Sequence, residues 1–451
     1  MSSTAHYTLP SGSLGKFNPS LSVSFLSPHS LLVAFAYLCP VAARNSILSV
    51  LNTSITSGYL EIIDSQRSYC FGRPTADGNT VRLKIRNDEF WIQILLSGDL
   101  GFSEAYMMGD VHVSSLKDVM NLWLQNETGM ANLTSLYGRV SSALSGLSNA
   151  LFGQTRANAR LNVMSSYDQS NELFKAFLSQ EMMYSCALWS DEEGGLRGDL
   201  LPGSRKIDGD LEAAQSRKIH LVLRQARVRP GDRILEFGSG WGGLAIEAAR
   251  SFGCQVDTIT LSVEQKKLAE ERIRTAGLQD RIRVHLMDYR ELPAEFEKAF
   301  DAFVSIEMLE HVGSKVHYST YFKIVDWALK PSNATVVVSS STFPESRYTG
   351  YQAQDFMRKY MWPNSCLPSA TALITAARDG SQSRFTLDNV ENHSAHYPRT
   401  LREWDRRLEA NLTPELLAMD FPNLLKDAAA YDAFKRKWRY LFAYAGAGQY
   451  L

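Results

Sequence analysis

Cysteine is scarce in this chain and net charge is almost absent, and each scarcity excludes a class of protein. Five of the 451 residues are cysteines, far apart, without CxxC pairs or Cys/His clusters. This spacing argues against a disulfide framework and a structural zinc site, so we predict no metal and a reducing, cytoplasmic setting. Lys and Arg number 47 against 48 Asp and Glu. A net charge of −1 provides no field for a polyanion, so nucleic acid is not an expected partner.

Long hydrophobic runs are missing as well. The longest apolar run near the N-terminus, residues 31–43, is interrupted by Pro40 and is shorter than the roughly 20 residues that cross a bilayer. We therefore predict no transmembrane helix and at most peripheral contact with a membrane. The chain is 45% hydrophobic and 21% charged, which predicts that most of it folds. Its length exceeds what one core organises, so we expect a large and a smaller domain.

Composition and periodicity divide the chain into three parts. Residues 1–45 begin with a Ser-, Pro- and Gly-rich stretch and are predicted to be a partly disordered arm. Residues 46–150 are predicted to be a small α+β domain, with strands at GYLEIID, RSYCFG, TVRLKI and FWIQILL and a helix at 116–125. In residues 151–451 strands alternate with helices, from RILEFG to ATVVVSS. This alternation predicts a doubly wound α/β domain with a mostly parallel sheet.

A glycine-rich loop follows the first strand of the α/β domain. The segment LEFGSGWGG, residues 235–243, leaves an apolar strand and enters the helix LAIEAARSF. Residues without a Cβ let the backbone approach a ligand closely, so the loop fits a dinucleotide or S-adenosylmethionine. A tight turn without a ligand is the alternative interpretation.

The next two strand ends favour S-adenosylmethionine. A dinucleotide site prefers an acid at the end of the second strand, but that strand ends in Thr260, Leu261 and Ser262. The third strand ends in MDYRELP. There Asp288 could accept a hydrogen bond from an adenine amine and Tyr289 could stack on the ring, whereas helix capping is the alternative role for Asp288.

Several motifs together resemble the cyclopropane fatty acid synthase family, which includes the mycolic acid methyltransferases. They are YDQSNELFKAFLSQEMMYSCALW, LEFGSGWGG, TLSVEQ, MDYREL, IEMLEHVG, CLPS and HYPRTLREW. The resemblance covers about residues 165–450, and residues 58–125 look like the family's N-terminal lipid-associated domain. It implies a Rossmann-like methyltransferase fold that uses S-adenosylmethionine on a carbon–carbon double bond of an acyl chain, often in a membrane phospholipid.

The resemblance also implies a set of cofactor contacts. It assigns Tyr184 and Ser185 to the carboxylate end of the cofactor and the glycine loop to its methionine portion. The contacts carried over by motif are Tyr167, Tyr184, Ser185, Gly238, Gly240, Trp241, Gly242, Thr260, Leu261, Gln265, Asp288 and Tyr289.

A proton-removal site is implied in the same way. When an alkene attacks the sulfonium methyl group, a carbocation forms, and a base must take a proton from the new methyl group for the ring to close. Family members hold a bicarbonate for this step with a Cys backbone, a Glu, a His and a Tyr. The motifs match Cys186, Glu310 and Tyr397 to three of them. At the fourth position Ser339 replaces His, with Ser341 at the neighbouring contact, and a hydroxyl is shorter and uncharged, which weakens the bicarbonate expectation.

Each of these residues also has a purely structural alternative. Glu310 would be a carboxylate at the start of a helix, Cys186 would be a buried thiol, and Tyr397 would be an aromatic ring of the core. We predict a cyclopropane-forming methyltransferase whose partner is an unsaturated lipid or another alkene-bearing small molecule. One alternative is a methyl or methylene product on an alkene of a lipid, sterol or secondary metabolite. Another is an inactive lipid-binding homologue. Whether the chain forms a homodimer is left open.

Overall fold

A computed structural model describes most of the chain beyond residue 39. The described residues are 40–74, 80–131, 170–201, 209–313, 315–349, 352, 354–363, 365–421 and 427–448. The domain boundary predicted near residue 150 and nearly all of the predicted arm lie outside them. Helix α1 spans Pro40–Ser54, so residues 40–45 are helical although they were assigned to the arm. Proline suits this position because its fixed φ matches the first turn of a helix.

The N-terminal unit is a four-stranded sheet covered by helices. Its strands are β1 (Tyr59–Ile63), β2 (Ser68–Gly72), β3 (Val81–Ile85) and β4 (Val111–Val113). They lie in the order β2-β1-β3-β4, with β1 and β3 parallel and the other two pairs antiparallel. Helices α2 (Glu89–Met108) and α3 (Leu116–Gln125) complete the unit.

The strand predicted at FWIQILL is wrong, because this segment is the first part of α2. Its buried side chains are Phe90, Trp91, Ile94 and Leu95. Their spacing follows the 3.6-residue period of a helix, which places all four on one face. Helical geometry breaks at Gly98, which has φ 54° and ψ −127°.

The second sheet is fully parallel, which confirms the predicted fold class. Its strands are β5 (Arg233–Phe237), β6 (Gln255–Thr260), β7 (Ile282–Leu286), β8 (Ala302–Ile306) and β9 (Thr335–Ser339), in the order β7-β6-β5-β8-β9. The chain winds to one side of β5 and then to the other, so a crevice is expected between the carboxyl ends of β5 and β8.

Helices cover both faces of this sheet. On one face lie α5 (Asp210–Gln225), α6 (Gly243–Ser251) and α7 (Val263–Thr275). On the other lie α8 (Lys315–Ala328) and α9 (Ala370–Gly380). The described helices left to place are α4 (Asn171–Phe177), α10 (Tyr397–Asn411), α11 (Pro414–Ala418) and α12 (Ala428–Gly448).

The C-terminal helix α12 packs against the N-terminal unit. Buried side chains of α12, including Phe434 and Trp438, belong to the same core as α1, α2 and the four-stranded sheet. Its aromatic face therefore packs inward. Within the described ranges no helix has the length and apolarity required to span a membrane.

Candidate active site

The glycine-rich turn lies at the carboxyl end of β5. Gly238, Gly240 and Gly242 have φ of 94°, 47° and 81°, a region that residues with a Cβ adopt only with strain. A Cβ built at Gly240 would meet no atom within 4 Å, so this part of the turn faces open space. At Gly243 a Cβ would lie 2.4 Å from the carbonyl oxygen of Glu181, so the start of α6 is packed tightly. The turn thus combines a rigid support with an open face.

The end of β6 brings three predicted cofactor residues to the same edge. The hydroxyl of Thr260 donates to Oε1 of Gln265 at 2.8 Å and accepts from the backbone N–H of Ser262 at 3.1 Å. The neighbouring Leu261 is 71% exposed. An apolar side chain so exposed beside the glycine turn is available to contact a ligand.

Asp288, at the end of β7, takes the capping role that the sequence left as an alternative. It caps the short 3-10 helix Tyr289–Glu291 by accepting from the backbone N–H of Arg290 at 2.9 Å. The guanidinium of Arg290 also pairs with it at 2.6 Å. Hydrogen bonding from Arg290 is the largest favourable contribution and lowers the pKa of Asp288. The adenine contact stays a prediction.

Two aromatic residues among the predicted cofactor contacts have side chains that are buried in the protein. Trp241 is 3% exposed, and its indole N–H donates to Asn171 at 2.7 Å. Tyr289 is 8% exposed and packs against Phe237 and Tyr321, with ring centroids 5.7 and 5.4 Å away. In the structure the ring of Tyr289 lies between these two rings, and its stacking on adenine stays a prediction.

The cofactor residues predicted before β5 have mixed outcomes. Tyr167 lies outside the described residues. The ring of Tyr184 sits among aromatic rings, 5.3 Å from Trp404 and 5.2 Å from Phe174. The hydroxyl of Ser185 accepts a hydrogen bond from the ammonium of Lys218 at 2.5 Å.

A carboxylate that motif matching did not select joins two predicted catalytic residues. Oε1 of Glu307 accepts from the backbone N–H of Cys186 at 2.8 Å, and Oε2 accepts from the hydroxyl of Tyr397 at 2.8 Å. The prediction had placed Glu310 with these two groups. Both glutamates stand in IEMLEHVG, so the sequence signal was a second acid three residues from the chosen one.

Glu310 lies beside this arrangement with different partners. Its Oε1 accepts from the backbone N–H of Ser341 at 2.6 Å, whereas its buried Oε2 has no hydrogen-bond partner. Burial, together with the charge of Glu307, raises the pKa of Glu310 to about 8. Ser339 contributes its carbonyl oxygen, which accepts from the N–H of Glu307 at 2.9 Å.

A buried lysine completes the cluster, and no motif pointed to it. Lys218 on α5 is 6% exposed. Burial lowers the pKa of Lys218 to about 8, although Glu307 and Glu236 oppose that shift. Burial likewise raises the pKa of Glu236 to about 8. The cluster therefore sets one ammonium against carboxyl groups that cannot all be charged together.

The thiol of Cys186 is not a nucleophile in this setting. Burial, reinforced by the charge of Glu307, raises the pKa of Cys186 far above its ordinary value. Because the thiolate is the reactive form, the side chain stays unreactive. The residue contributes through its backbone N–H. Among the described cysteines every thiol is free, and no cluster of metal ligands occurs in the same residues.

A cleft of about 590 Å³ lies away from the glutamate cluster, between β4 and helices α10 and α12. Arginines including Arg402, Arg436 and Arg439 line it. None of the predicted site residues contributes to its wall, so we place the chemistry at the carboxyl edge of the parallel sheet.

This sheet order, with a glycine turn after β5, defines a Rossmann-like fold of the methyltransferase type. Residues 154–435 match the family model for mycolic acid cyclopropane synthetase. The chain therefore belongs to that family, a family of S-adenosylmethionine-dependent methyltransferases, and the predicted family and enzyme class are confirmed.

Individual relatives agree with this assignment. The chain is 32% identical over 329 residues to the cyclopropane-fatty-acyl-phospholipid synthase of Escherichia coli K12, covering 73% of this chain and 76% of the relative. It is 32% identical over 352 residues to the tuberculostearic acid methyltransferase of Mycobacterium tuberculosis H37Rv, covering 78% and 76%. A solved coclaurine N-methyltransferase structure superposes with a TM-score of 0.53 at 16% identity, covering 77% of this chain and 93% of that one, which shows the fold alone.

Proposed function

We propose that the chain transfers the methyl group of S-adenosylmethionine to a carbon–carbon double bond in an unsaturated acyl chain of a lipid and closes a cyclopropane. The observation that carries this proposal is the rigid glycine turn with its open face at Gly240, in a chain of this family. A methyl donor bound there would lie at the crevice between β5 and β8.

The donor site comprises the residues that the motifs predicted. Gly238, Gly240 and Gly242 supply the turn, and the backbone of Trp241 continues it. Thr260, Leu261 and Gln265 offer contacts at the end of β6, and Asp288 with the backbone of Tyr289 at the end of β7. Tyr184, Ser185 and Tyr167 complete the set on the segment before α5.

The proton-removal site lies at the ends of β8 and β9. It comprises the backbone N–H of Cys186 and the residues Glu310, Ser339 and Tyr397. Aromatic faces stabilise a transient carbocation, and the ring of Tyr397 lies 6.2 Å from Trp404, which is 5.3 Å from Tyr184. This aromatic wall also limits the access of water to the cation.

A direct assay tests the reaction. Purified protein is incubated with methyl-labelled S-adenosylmethionine and vesicles of an unsaturated phospholipid, and the extracted lipid is examined by proton NMR. Cyclopropyl signals and incorporated label are expected. Label without cyclopropyl signals would contradict ring closure and favour the second candidate.

That second candidate is a methyl or methylene product on an alkene of a lipid, sterol or secondary metabolite. The observation in its favour is that Ser339 offers a carbonyl and a hydroxyl where other family members have the imidazole of a His. This difference would change whether the cation closes a ring or gives a methyl or methylene product. The NMR experiment distinguishes vinylidene or methyl signals from cyclopropyl signals. A third candidate, an inactive lipid-binding homologue, requires that calorimetry detect no binding of S-adenosylmethionine.

Peripheral contact with a membrane is part of the proposal. Phe90 and Phe102 are buried in the N-terminal core and offer no surface to a membrane. Support comes instead from Leu196, Leu200 and Leu201, which are 37%, 41% and 56% exposed. Flotation with anionic and neutral vesicles tests this contact. Failure to float, combined with rapid turnover of a water-soluble alkene, would favour a small-molecule substrate.

A further inference from the structure

The groups expected to hold an external anion are already hydrogen-bonded to a side chain of the protein. The resemblance assigned the N–H of Cys186 and the hydroxyl of Tyr397 to a bound bicarbonate. In the structure both donate to the two oxygens of Glu307, each at 2.8 Å. A carboxylate and a bicarbonate present the same pair of acceptor oxygens, so a side chain occupies the position where an anion was expected.

The backbone conformation of Glu307 directs its carboxylate towards Cys186 and Tyr397. Glu307 has φ 47°, a conformation that costs a residue with a Cβ roughly 1–2 kcal/mol. Its N–H is held by the carbonyl oxygen of Ser339 at 2.9 Å. Such strain is found where the surroundings over-determine a functional conformation.

The carboxylate also lies next to the proposed donor site. Met308 follows Glu307 directly, and its Cβ would lie 3.2 Å from a Cβ built on Gly238. The turn that follows β8 therefore touches the turn that follows β5, across the crevice. Glu307 thus belongs to the turn that faces the proposed donor loop across the crevice.

We propose that Glu307 is the catalytic base of the proposed ring closure and that no external bicarbonate is needed. The π electrons of the alkene form a bond to the donor methyl carbon. The sulfur–methyl bond breaks at the same time, and the electron pair of that bond stays on sulfur. A C–H bond of the new methyl group then breaks, and its electrons form the second ring bond. The proton passes to a carboxylate oxygen of Glu307 and leaves to water before the next turnover.

The surrounding charges suit this role. Burial raises the pKa of Glu307 above its ordinary value, and the hydrogen bond from Cys186, the ammonium of Lys218 and the hydrogen bond from Tyr397 oppose that shift by favouring the ionised form. Burial, together with the charge of Glu307, raises the pKa of Glu310 to about 8, so this carboxyl is largely protonated at neutral pH. One carboxylate and one neutral acid are the state in which Glu307 can accept a proton.

The inference rests on the proposed function, and E307Q is the first test of it. Glutamine keeps the size of the side chain and removes the basic oxygen. We expect cyclopropane formation to fall roughly 10²-fold or more, with the affinity for S-adenosylhomocysteine in calorimetry within about threefold of wild type. Unchanged turnover in E307Q would overturn the proposal. E247Q is the matched control, since Glu247 also accepts two side-chain hydrogen bonds, from His220 and Ser251, outside the cluster.

A second variant exchanges the internal base for an external one. Glycine adopts φ 47° without strain, so E307G should fold while freeing the N–H of Cys186 and the hydroxyl of Tyr397. We expect E307G to be slow in bicarbonate-depleted buffer and to regain roughly tenfold or more on addition of bicarbonate or acetate. The wild type should not respond to either anion. A folded, donor-binding E307G that neither anion rescues would show that the carboxylate does not stand in for an anion.

Bicarbonate depletion of the wild type separates this inference from the function beneath it. If the wild type forms cyclopropane only when bicarbonate is present, Glu307 is not the base although the proposed function holds. If the wild type methylates no alkene under any condition but binds S-adenosylmethionine, the proposed function itself fails. Bicarbonate-independent cyclopropane formation, lost in E307Q, supports both.

Discussion

Replacing Glu310 by glutamine should stabilise the protein at alkaline pH even though Glu310 belongs to the proposed site. Burial raises the pKa of Glu310 from 4.5 to about 8, and the charge of Glu307 adds to this shift. One oxygen is hydrogen-bonded to Ser341, but Oε2 is buried without a partner. The folded protein therefore favours the protonated carboxyl, whereas the unfolded chain ionises near its ordinary pKa.

Between pH 4.5 and about 8 the folded state binds more protons at Glu310 than the unfolded chain does. Because of this difference, the free energy of unfolding falls as pH rises. The contribution is complete below pH 4.5 and is lost as pH passes about 8, at roughly 1.4 kcal/mol per pH unit. From about pH 6 to about pH 8 the wild type should lose roughly 2 kcal/mol that E310Q keeps. Glu307 and Glu310 interact, so this loss belongs to the pair.

Urea unfolding of both proteins at these two pH values measures the effect. The difference between E310Q and wild type should move by roughly 2 kcal/mol in favour of the variant at the higher pH. E247Q serves as control, because the pKa of Glu247 is lowered and its titration ends below this range. An E310Q difference that is equal at both pH values would refute a buried, ionisable carboxyl at this position.

Three further substitutions test other parts of the site. G240V places a branched side chain in the open face of the turn at φ 47°, and should abolish S-adenosylmethionine binding in calorimetry; unchanged affinity would contradict the donor site. Y397F removes the 2.8 Å hydrogen bond to Glu307 and should lower turnover roughly 10²-fold at constant donor affinity; equal loss of affinity would indicate a structural role. K218M removes the buried ammonium that donates to Ser185 and is influenced by the charges of Glu307 and Glu236, and should lower the free energy of urea unfolding by roughly 1 kcal/mol or more; an unchanged value would contradict an electrostatic role for Lys218.

The parallel sheet could be predicted closely because its strands carry their own signal. RILEFG, QVDTITL, IRVHLMD, FDAFVSI and ATVVVSS each contain the observed strand, from β5 to β9. Buried parallel strands are short apolar runs between glycine and polar turns, so their limits are visible in the sequence. The helix at 116–125 was also predicted with its observed ends, and Ser115 caps it as a serine at that position should.

Periodicity alone misled the prediction at FWIQILL. A run of seven residues is too short to separate an apolar strand from the start of a helix. The segment becomes helical because Phe90, Trp91, Ile94 and Leu95 all face the core shared with α1 and α12. That core includes residues more than 300 positions later in the chain, such as Trp438, so its influence is not visible locally.

The choice between Glu307 and Glu310 depends on similar long-range contacts. The sequence shows two acids three residues apart and says nothing about where each side chain points. Cys186 lies 121 positions and Tyr397 90 positions from Glu307. The left-handed backbone at Glu307 decides the direction, and such conformations are uncommon for residues with a Cβ, so no propensity scale predicts one here.

The buried ionisable groups make more sense as a reactive site than as a source of stability. Buried ion pairs are often no more stabilising than apolar residues of the same volume, and Glu236 and Glu310 each bury an oxygen without a partner, which costs free energy. These two unpaired oxygens do not add to the stability of the fold. A reaction that builds a cation and releases a proton does gain from acids held close to their ionisation point, beside one ammonium and at the edge of the crevice where the donor would bind. The proposed proton transfer would account for the electrostatic cost of Glu236, Glu307, Glu310 and Lys218.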